Sequence, residues 1–182
     1  MNACRIINSS LIIMISNFVN KYNMFCVKFR TCCYRNMFKK CGSFTIWGHI
    51  DVVYPKNIQI GEGCSINHGC YLNAYNPIYI GNDVTLSANV SIISTGIDIK
   101  AWMSQKKGDK HIKNEGVYVG NHVWIGANSL ILSGVRISGE YVVVAAGSVV
   151  TKDITESYCV VAGCPAAVSY THLRAHETDS YL

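Results

Sequence analysis

Aliphatic residues recur at every sixth position over most of the chain after residue 58. Three series show this spacing: Ile60, Ile66, Leu72 and Ile78; then Ile80, Leu86 and Ile92; then Val119, Ile125, Ile131, Ile137, Val143 and Val149. An amphipathic helix repeats at about 3.6 residues and a strand at two, so neither explains the pattern alone. Repetition at a short fixed period is typical of a solenoid.

The residue that follows each aliphatic position is often glycine or another small residue, as in IGEG, IGND, VGNH and IGAN. Gly, Asn and Asp allow the backbone to turn sharply. We therefore predict short extended segments joined by tight turns, with three segments closing each triangular coil and successive coils stacking in parallel. One buried aliphatic side chain contributes roughly 1.5–3 kcal/mol, so the stacked rows stabilise the solenoid collectively.

The period fails between Ile92 and Val117. The intervening insert, STGIDIKAWMSQKKGDKHIKNEG (94–116), carries five lysines, a tryptophan and a histidine. A long loop that leaves a regular scaffold is usually functional. We therefore expect the insert to contribute to a site.

The N-terminal segment differs from the repeats in composition and in hydrophobic pattern. Residues 1–41 contain neither Gly nor Pro, which favours helix, and Gly42 is a plausible stop. Residues 1–50 hold seven Lys or Arg and no acidic residue. A basic helical segment over 1–44 is therefore predicted, either with peripheral contact to an acidic membrane surface or with a solvated basic face. Its longest apolar run, LIIMI (11–15), is too short to span a bilayer.

The nine cysteines include no C-x-x-C pair. We interpret them as reduced thiols, several packed as small hydrophobic residues, which is typical of a cytoplasmic protein.

The C-terminal stretch VSYTHLRAHET (168–178) resembles a translated sequencing adaptor. We therefore predict that residues 168–182 form a non-native tail and that the solenoid domain covers residues 45–167. His172 and His176 are excluded as site candidates on this ground.

The run VGNHVWIGANSLILSGVRI…VVVAAGSVVTKDI…VVAGCPAA resembles the C-terminal coils of the hexapeptide-repeat acyltransferases, and the resemblance covers about residues 45–167. It implies an all-β solenoid: a left-handed parallel β-helix with a short N-terminal helical segment and a long loop insert. It also implies a homotrimer with active sites between subunits. The short basic N-terminus is similar to that of the small sugar and polysaccharide O-acetyltransferases. That likeness implies acetyl-CoA-dependent transfer to a sugar or polysaccharide hydroxyl, with a histidine as general base and without a metal.

Two histidines are candidates for that base. In the maltose and galactoside enzymes the catalytic histidine follows a Thr-Gly pair at the start of the insert, where this chain has Ile97. His68, in CSINHGCYL, resembles the catalytic histidine of the serine acetyltransferases. His111, in KKGDKHI, resembles a second active-site histidine of those enzymes. His122 occupies a turn position that suits Asn equally well, and His49 precedes the regular coils.

The resemblance also implies binding residues. For the acceptor these are Asn67, Asp98 and Trp124, although Trp124 could instead pack on the insert. Asp51 and Asp98 are candidates for the carboxylate that orients the base. Arg136 is a further candidate for a coenzyme phosphate. The coenzyme-binding candidates are Gly126, Ala127, Ala145, Ala146, Gly147, Lys152, Gly163 and Pro165, with Lys152 near a phosphate and the last two near the adenine.

Other functions remain open at this stage. The acceptor could be serine or an amino sugar, whose nitrogen would then be acetylated. A zinc-dependent hydratase would require several histidines converging on one ion. A non-catalytic scaffold is the third alternative. The acetyltransferase interpretation predicts a small-molecule or glycan acceptor and no nucleic-acid partner.

Overall fold

Seventeen short strands and two α-helices make up the part of the chain described by the computed structural model, residues 9–104 and 108–171. The helices are α1 (Ser9–Met37) and α2 (Ile99–Met103), and a 3₁₀ turn covers Pro55–Asn57. The strands are β1 (Lys40–Cys41), β2 (Phe44–Ile46), β3 (Asp51–Val53), β4 (Ile58–Ile60), β5 (Cys64–Ile66), β6 (Tyr71–Asn73), β7 (Ile78–Ile80), β8 (Thr85–Leu86), β9 (Ser91–Ile93), β10 (Val117–Val119), β11 (Val123–Ile125), β12 (Leu130–Ile131), β13 (Arg136–Ile137), β14 (Val142–Val144), β15 (Val149–Val150), β16 (Cys159–Gly163) and β17 (Ala166–Thr171).

From β1 to β15, each strand pairs in parallel with the strand three places earlier or later in the chain. This pairing produces three parallel sheets and therefore a triangular solenoid. Face A contains β1, β4, β7, β10 and β13, and face C contains β3, β6, β9, β12 and β15. Face B contains β2, β5, β8, β11, β14 and β16, with β17 added antiparallel at its end. The register is strict, since Ile58, Ile78 and Val117 align on face A. The predicted three-sided coil is confirmed.

The turns between faces stack at three corners. The BC corner comprises residues 47–50, 67–70, 87–90, 126–129 and 145–148. The CA corner comprises residues 54–57, 74–77, the insert 94–116, 132–135 and 151–153. The AB corner comprises residues 61–63, 81–83, 120–122, 138–141 and 155–158.

The interior is filled by the predicted aliphatic rows up to Ile137, all of them buried. The prediction was wrong for Val143 and Val149, because the structure buries Val142, Val144 and Val150 instead. The AB turn after Ile137 has four residues before the next strand, whereas the preceding AB turn, 120–122, has three. The additional residue moves the inward-facing positions by one along the sequence, because successive side chains of a strand point to opposite sides of the sheet.

The C-terminal half of α1 closes the first coil. Thr31 Oγ1 accepts a hydrogen bond from the Ile46 N–H at 3.0 Å, and the Tyr34 hydroxyl donates to the Ile50 carbonyl at 2.8 Å. The predicted helix ends earlier than expected, at Met37 rather than Gly42, because β1 already pairs with β4. The solenoid thus begins before residue 45. Within the described residues, no helix combines the length and apolar character required to cross a membrane.

The insert is partly ordered into regular structure. Ile97 and His111 form an antiparallel bridge, and α2 lies between them. The buried Asn76 side chain donates to the carbonyls of Ser94 and Ile112, at 2.7 and 2.8 Å, which ties both ends of the insert to the coil below. The insert is therefore anchored at its base.

The C-terminal boundary predicted at residue 167 falls inside β17, which extends through Thr171. That residues from 168 onward are non-native stays a prediction. His172 and His176 lie outside the described residues.

Candidate active site

His68 lies in the BC corner beneath a column of alanines. The His68 carbonyl accepts from Asn89 N–H at 3.0 Å, and successive turns are joined in the same way up to Ala127 and Gly147. Neighbouring coils are separated by about 4.8 Å, so Ala88, Ala127 and Ala146 rise in steps above the histidine. The imidazole is exposed, and Gly48 lies below it, where a Cβ would fall 2.2 Å from His68 Cβ.

The alanine column presents bare backbone to solvent. Among the described residues, the N–H groups of Ala127 and Ala146 have no hydrogen-bond acceptor within the protein. Gly126 must lack a side chain, because a Cβ there would lie 2.6 Å from the Ala146 nitrogen. At Gly147, by contrast, nothing lies within 4 Å of an added Cβ. The corner can therefore accept an extended ligand that offers carbonyl groups to these donors.

Two more predicted residues adjoin this column. The Trp124 ring is 55% exposed on face B, and its Nε1–H donates to Ser87 Oγ at 2.9 Å. Its indole N–H is therefore bonded to the BC corner of the preceding coil. Asn67 is half-buried, and its amide donates to the Leu86 carbonyl at 2.9 Å, so part of its hydrogen-bonding capacity supports the next coil.

The upper end of the corner is formed by the turn that joins β16 to β17. Gly163 N–H donates to Ser148 Oγ at 3.3 Å, which places the turn containing Pro165 above the alanine column. Lys152 lies elsewhere, after β15 at the CA corner, and is exposed. Arg136 lies on face A, 3.6 Å from Glu115. One chain therefore groups the predicted small residues with His68 but separates both cations from them.

His111 lies at the CA corner within a cluster of polar and aromatic groups. Its Nδ1 is 2.8 Å from Asp109 Oδ1, and its ring stacks on Tyr75 with centroids 4.6 Å apart. The Tyr75 hydroxyl hydrogen-bonds to the other carboxylate oxygen of Asp109. The cluster fixes both the position and the plane of the imidazole.

Asp109 is stabilised as an anion. Its pKa is lowered, chiefly by the hydrogen bonds from the His111 backbone and side chain, and further by the charges of His111 and Lys113. A carboxylate that accepts from Nδ1–H holds the proton on that nitrogen and leaves Nε2 able to accept one. The arrangement suits a general base.

The two carboxylates predicted to orient a base lie in other positions. Asp51 is 3.2 Å from His49 Nε2 on an exposed surface, and Asp98 caps α2 by accepting from the Lys100 and Ala101 N–H groups. Sequence reasoning missed Asp109, although its place two residues before His111 offered the signal. The Asp98 N–H donates to the Lys110 carbonyl at 2.8 Å, so the predicted acceptor residue remains near the cluster.

His122 has a structural environment at the AB corner. It adopts a left-handed conformation with φ 53°, stacks on Tyr141 with centroids 4.6 Å apart, and lies 3.6 Å from Asp83. This agrees with its interpretation as a turn residue that Asn could replace.

His68 and His111 occupy different corners of the same prism, so one chain does not bring them together. Within residues 9–104 and 108–171, no group of three or more His, Cys, Asp or Glu side chains converges as metal ligands would.

Solved structures share this architecture. The maltose O-acetyltransferase of Clostridium difficile is 32% identical, superposes with a TM-score of 0.68, and is covered over 72% of its length by 76% of this chain. The chain belongs to the hexapeptide-repeat acyltransferase family. The left-handed parallel β-helix predicted from sequence is thereby confirmed.

Further comparisons agree with membership of the hexapeptide-repeat family. The family model described as "hexapeptide repeat of succinyl-transferase" matches residues 116–152. A Vibrio cholerae hexapeptide-repeat acetyltransferase, solved with acetyl-CoA, is 26% identical with a TM-score of 0.70, and the match covers 79% of this chain and 76% of that one. The galactoside O-acetyltransferase of Lactococcus lactis is 36% identical over 137 residues, which is 70% of this chain. The chain spans 64% of that relative's length and 54% of the Escherichia coli galactoside O-acetyltransferase.

Proposed function

We propose that this protein is an acetyl-CoA-dependent O-acetyltransferase that transfers the acetyl group to a hydroxyl of a sugar or polysaccharide. The observation that carries the proposal is the column above His68, where the Ala127 and Ala146 N–H groups have no acceptor among the residues that the structure describes and the neighbouring turn residues are small. The galactoside and maltose O-acetyltransferases among its relatives support a sugar acceptor.

The BC corner fits the pantetheine arm of acetyl-CoA. That arm is extended and carries two amide carbonyls, which can accept from the Ala127 and Ala146 N–H groups. The small residues Gly126, Ala145 and Gly147 let the arm lie against the backbone. The Gly163–Pro165 turn at the upper end would contact the adenine, so the acetyl end would lie lower, toward His68. Trp124 would wall this path on the face B side.

His111 is the base in this proposal, and Asp109 is its positioning residue. The acceptor hydroxyl gives its proton to Nε2 while its oxygen attacks the thioester carbonyl, and the C–S bond then breaks to release the thiol with that proton. General-base assistance of this kind contributes about 10²–10⁴-fold to the rate. His68 would hydrogen-bond the acceptor, together with Asn67 and Asp98.

The site is shared between subunits of a homotrimer. His68 and the coenzyme column occupy the BC corner, whereas His111 occupies the CA corner of the same chain. A neighbouring copy that presents its CA corner to this BC corner would complete the site, as in assemblies built from heterologous contacts. Ile99, Trp102 and Met103 on α2 are exposed apolar residues available for that contact. Lys152 and Arg136 could then meet the coenzyme phosphates of the adjoining site.

The test is thiol release from acetyl-CoA by the purified chain, measured with galactosides, maltooligosaccharides, serine and amino sugars as acceptors. The proposal predicts release that depends on a sugar hydroxyl and is lost in His111→Ala. Preferred turnover with serine, or acetylation only of an amine, would instead support the alternatives named from sequence. A chain that neither binds acetyl-CoA nor releases thiol would be a scaffold.

A further inference from the structure

Helix α1 has a second apolar face that the solenoid does not cover. Six residues of this face are half exposed or more, with Phe18 the most exposed at 72%. They are Met14, Ile15, Phe18, Tyr22, Phe25 and Phe29. At 100° per residue they lie within an arc of about 100°, and they extend about 22 Å along the helix. We call this set the open stripe.

The open stripe points away from the solenoid. The residues of α1 that reach the first coil, Arg30, Thr31 and Tyr34, with the buried Val27, lie about 160° around the helix from it. One helix therefore carries an apolar contact face for the fold and a separate aromatic-rich face. None of the six residues of the open stripe belongs to the buried core of the solenoid.

Positive charge runs beside the open stripe. Lys21, Lys28 and Arg35 recur every seven residues and form a row on one flank. None of the three forms an ion pair within the part of the chain that the structure describes. Lys28 and Arg35 also line a groove of about 340 Å³ between α1 and face B, together with Val27, Phe44 and Trp47.

We propose that α1 binds the surface of an anionic lipid bilayer through the open stripe. Aromatic and aliphatic side chains enter the boundary between headgroups and acyl chains, and the Lys21–Lys28–Arg35 row meets lipid phosphates. The groove beside Lys28 and Arg35 accepts part of one lipid. The helix lies in the plane of the interface and does not cross it.

Charge favours lipid over a second copy of the chain as the occupant. Packing two copies of α1 along their open stripes would bring two cationic helices together, and in an antiparallel pair their basic rows would approach each other directly. Residues 1–50 contain no acidic side chain that could neutralise them. Like charges brought together in this way destabilise a helix pair, whereas an anionic bilayer neutralises them.

The experiment is cosedimentation of the full chain with vesicles of phosphatidylcholine alone or with one part phosphatidylglycerol in four. The inference predicts strong binding only to the anionic vesicles, weakened by salt. Lys21→Ser with Lys28→Ser should lower the partition coefficient roughly 30-fold, since each cation near the surface contributes about fivefold. Phe18→Ser with Phe25→Ser should abolish binding, and acetyl transfer in solution should continue in both variants.

Matched controls remove equivalent groups away from α1. Lys56→Ser removes one exposed cation and Tyr158→Ser one exposed aromatic side chain at the AB corner, and both should bind vesicles as the wild type does. Equal binding to both vesicle types would overturn the inference. A second pair of results would also overturn it: the wild type does not bind vesicles, and the Phe18/Phe25 variant shows a lower oligomer mass by light scattering. The open stripe would then join copies of the chain.

Discussion

Ile97 and His111 face each other across an antiparallel bridge at the base of the insert. The Asp98 N–H donates to the Lys110 carbonyl and the Ile112 N–H to the Gly96 carbonyl, both at 2.8 Å. The two residues thus form a non-hydrogen-bonded pair, in which Cα atoms are about 4.5 Å apart and the side chains share one face. The resemblance to the maltose and galactoside enzymes predicts that Ile97 takes the position of their histidine. The bridge places the His111 imidazole beside the Ile97 side chain, on the strand opposite.

Replacing Asp109 should separate positioning from binding. Asp109→Asn removes the anion that holds the proton on His111 Nδ1, so kcat should fall by at least about tenfold. The KM for acetyl-CoA should stay unchanged, because Asp109 contacts His111 and Tyr75 and not the backbone donors proposed to hold the coenzyme. Steady-state thiol release measures both constants, with His122→Asn as a control that should retain wild-type values. A rise in KM without a fall in kcat would contradict the positioning role.

A histidine at residue 97 should compensate for the loss of His111. The double variant Ile97→His/His111→Ala places an imidazole on the same face of the bridge, so its kcat should exceed that of His111→Ala by about tenfold or more. Ile97→Gln in the same background provides a polar control without a base and should give no gain. Equal rates for the histidine and glutamine variants would show that an imidazole at this bridge does not act as the base.

A larger side chain at the alanine column should obstruct the coenzyme. Ala127→Leu puts a large side chain on the column along which the pantetheine arm is proposed to lie, so the KM for acetyl-CoA should rise by about tenfold or more, a loss of roughly 1.4 kcal/mol in binding. Thr155→Leu makes a comparable change at the exposed AB corner and should leave KM unaltered. Isothermal titration with coenzyme A provides a direct check, and wild-type affinity in Ala127→Leu would exclude this corner as the binding track.

Buried thiols should respond to pH in a predictable direction. Burial raises the pKa of Cys64 and Cys70 above the ordinary value of 9.0. The folded protein therefore keeps protons that the unfolded chain releases, and its free energy of unfolding should fall as pH rises through and beyond 9.0. At pH 8, Ellman's reagent should react rapidly with exposed Cys32 and Cys164 and slowly with the buried pair. Rapid modification of Cys64 in the native protein would contradict the burial.

The repeat made the solenoid predictable because each inward aliphatic residue reports one face of one coil. The six-residue spacing gave the wrong inward residue at Val143, because one additional residue in the preceding turn changes which side chains point inward and leaves no mark in the composition. The helix boundary also shifted, because β1 gains parallel pairing with β4 as soon as α1 ends. Local propensity alone does not register such long-range pairing.

The candidate site was only partly accessible from sequence. The small residues of the BC corner could be grouped with His68, because turns at equivalent repeat positions stack on one another. The partnership of His111 with Asp109 and Tyr75 depends on how the insert folds back over residue 75, which no short-range pattern specifies. The sequence alone also does not specify that Asp51 contacts His49 or that Asp98 caps α2, and these contacts place both carboxylates away from His68 and from the His111 ring.

Complementation between two inactive variants tests the shared site most directly. His68→Ala and His111→Ala are unfolded together, refolded as a mixture of equal amounts, and assayed for thiol release with the acceptor that the wild type prefers. If one subunit supplies His68 and its neighbour supplies His111, random trimers should regain about a quarter of wild-type activity, because one of three sites in each mixed trimer is intact. Activity in the mixture no higher than in either variant alone would contradict a site shared between subunits.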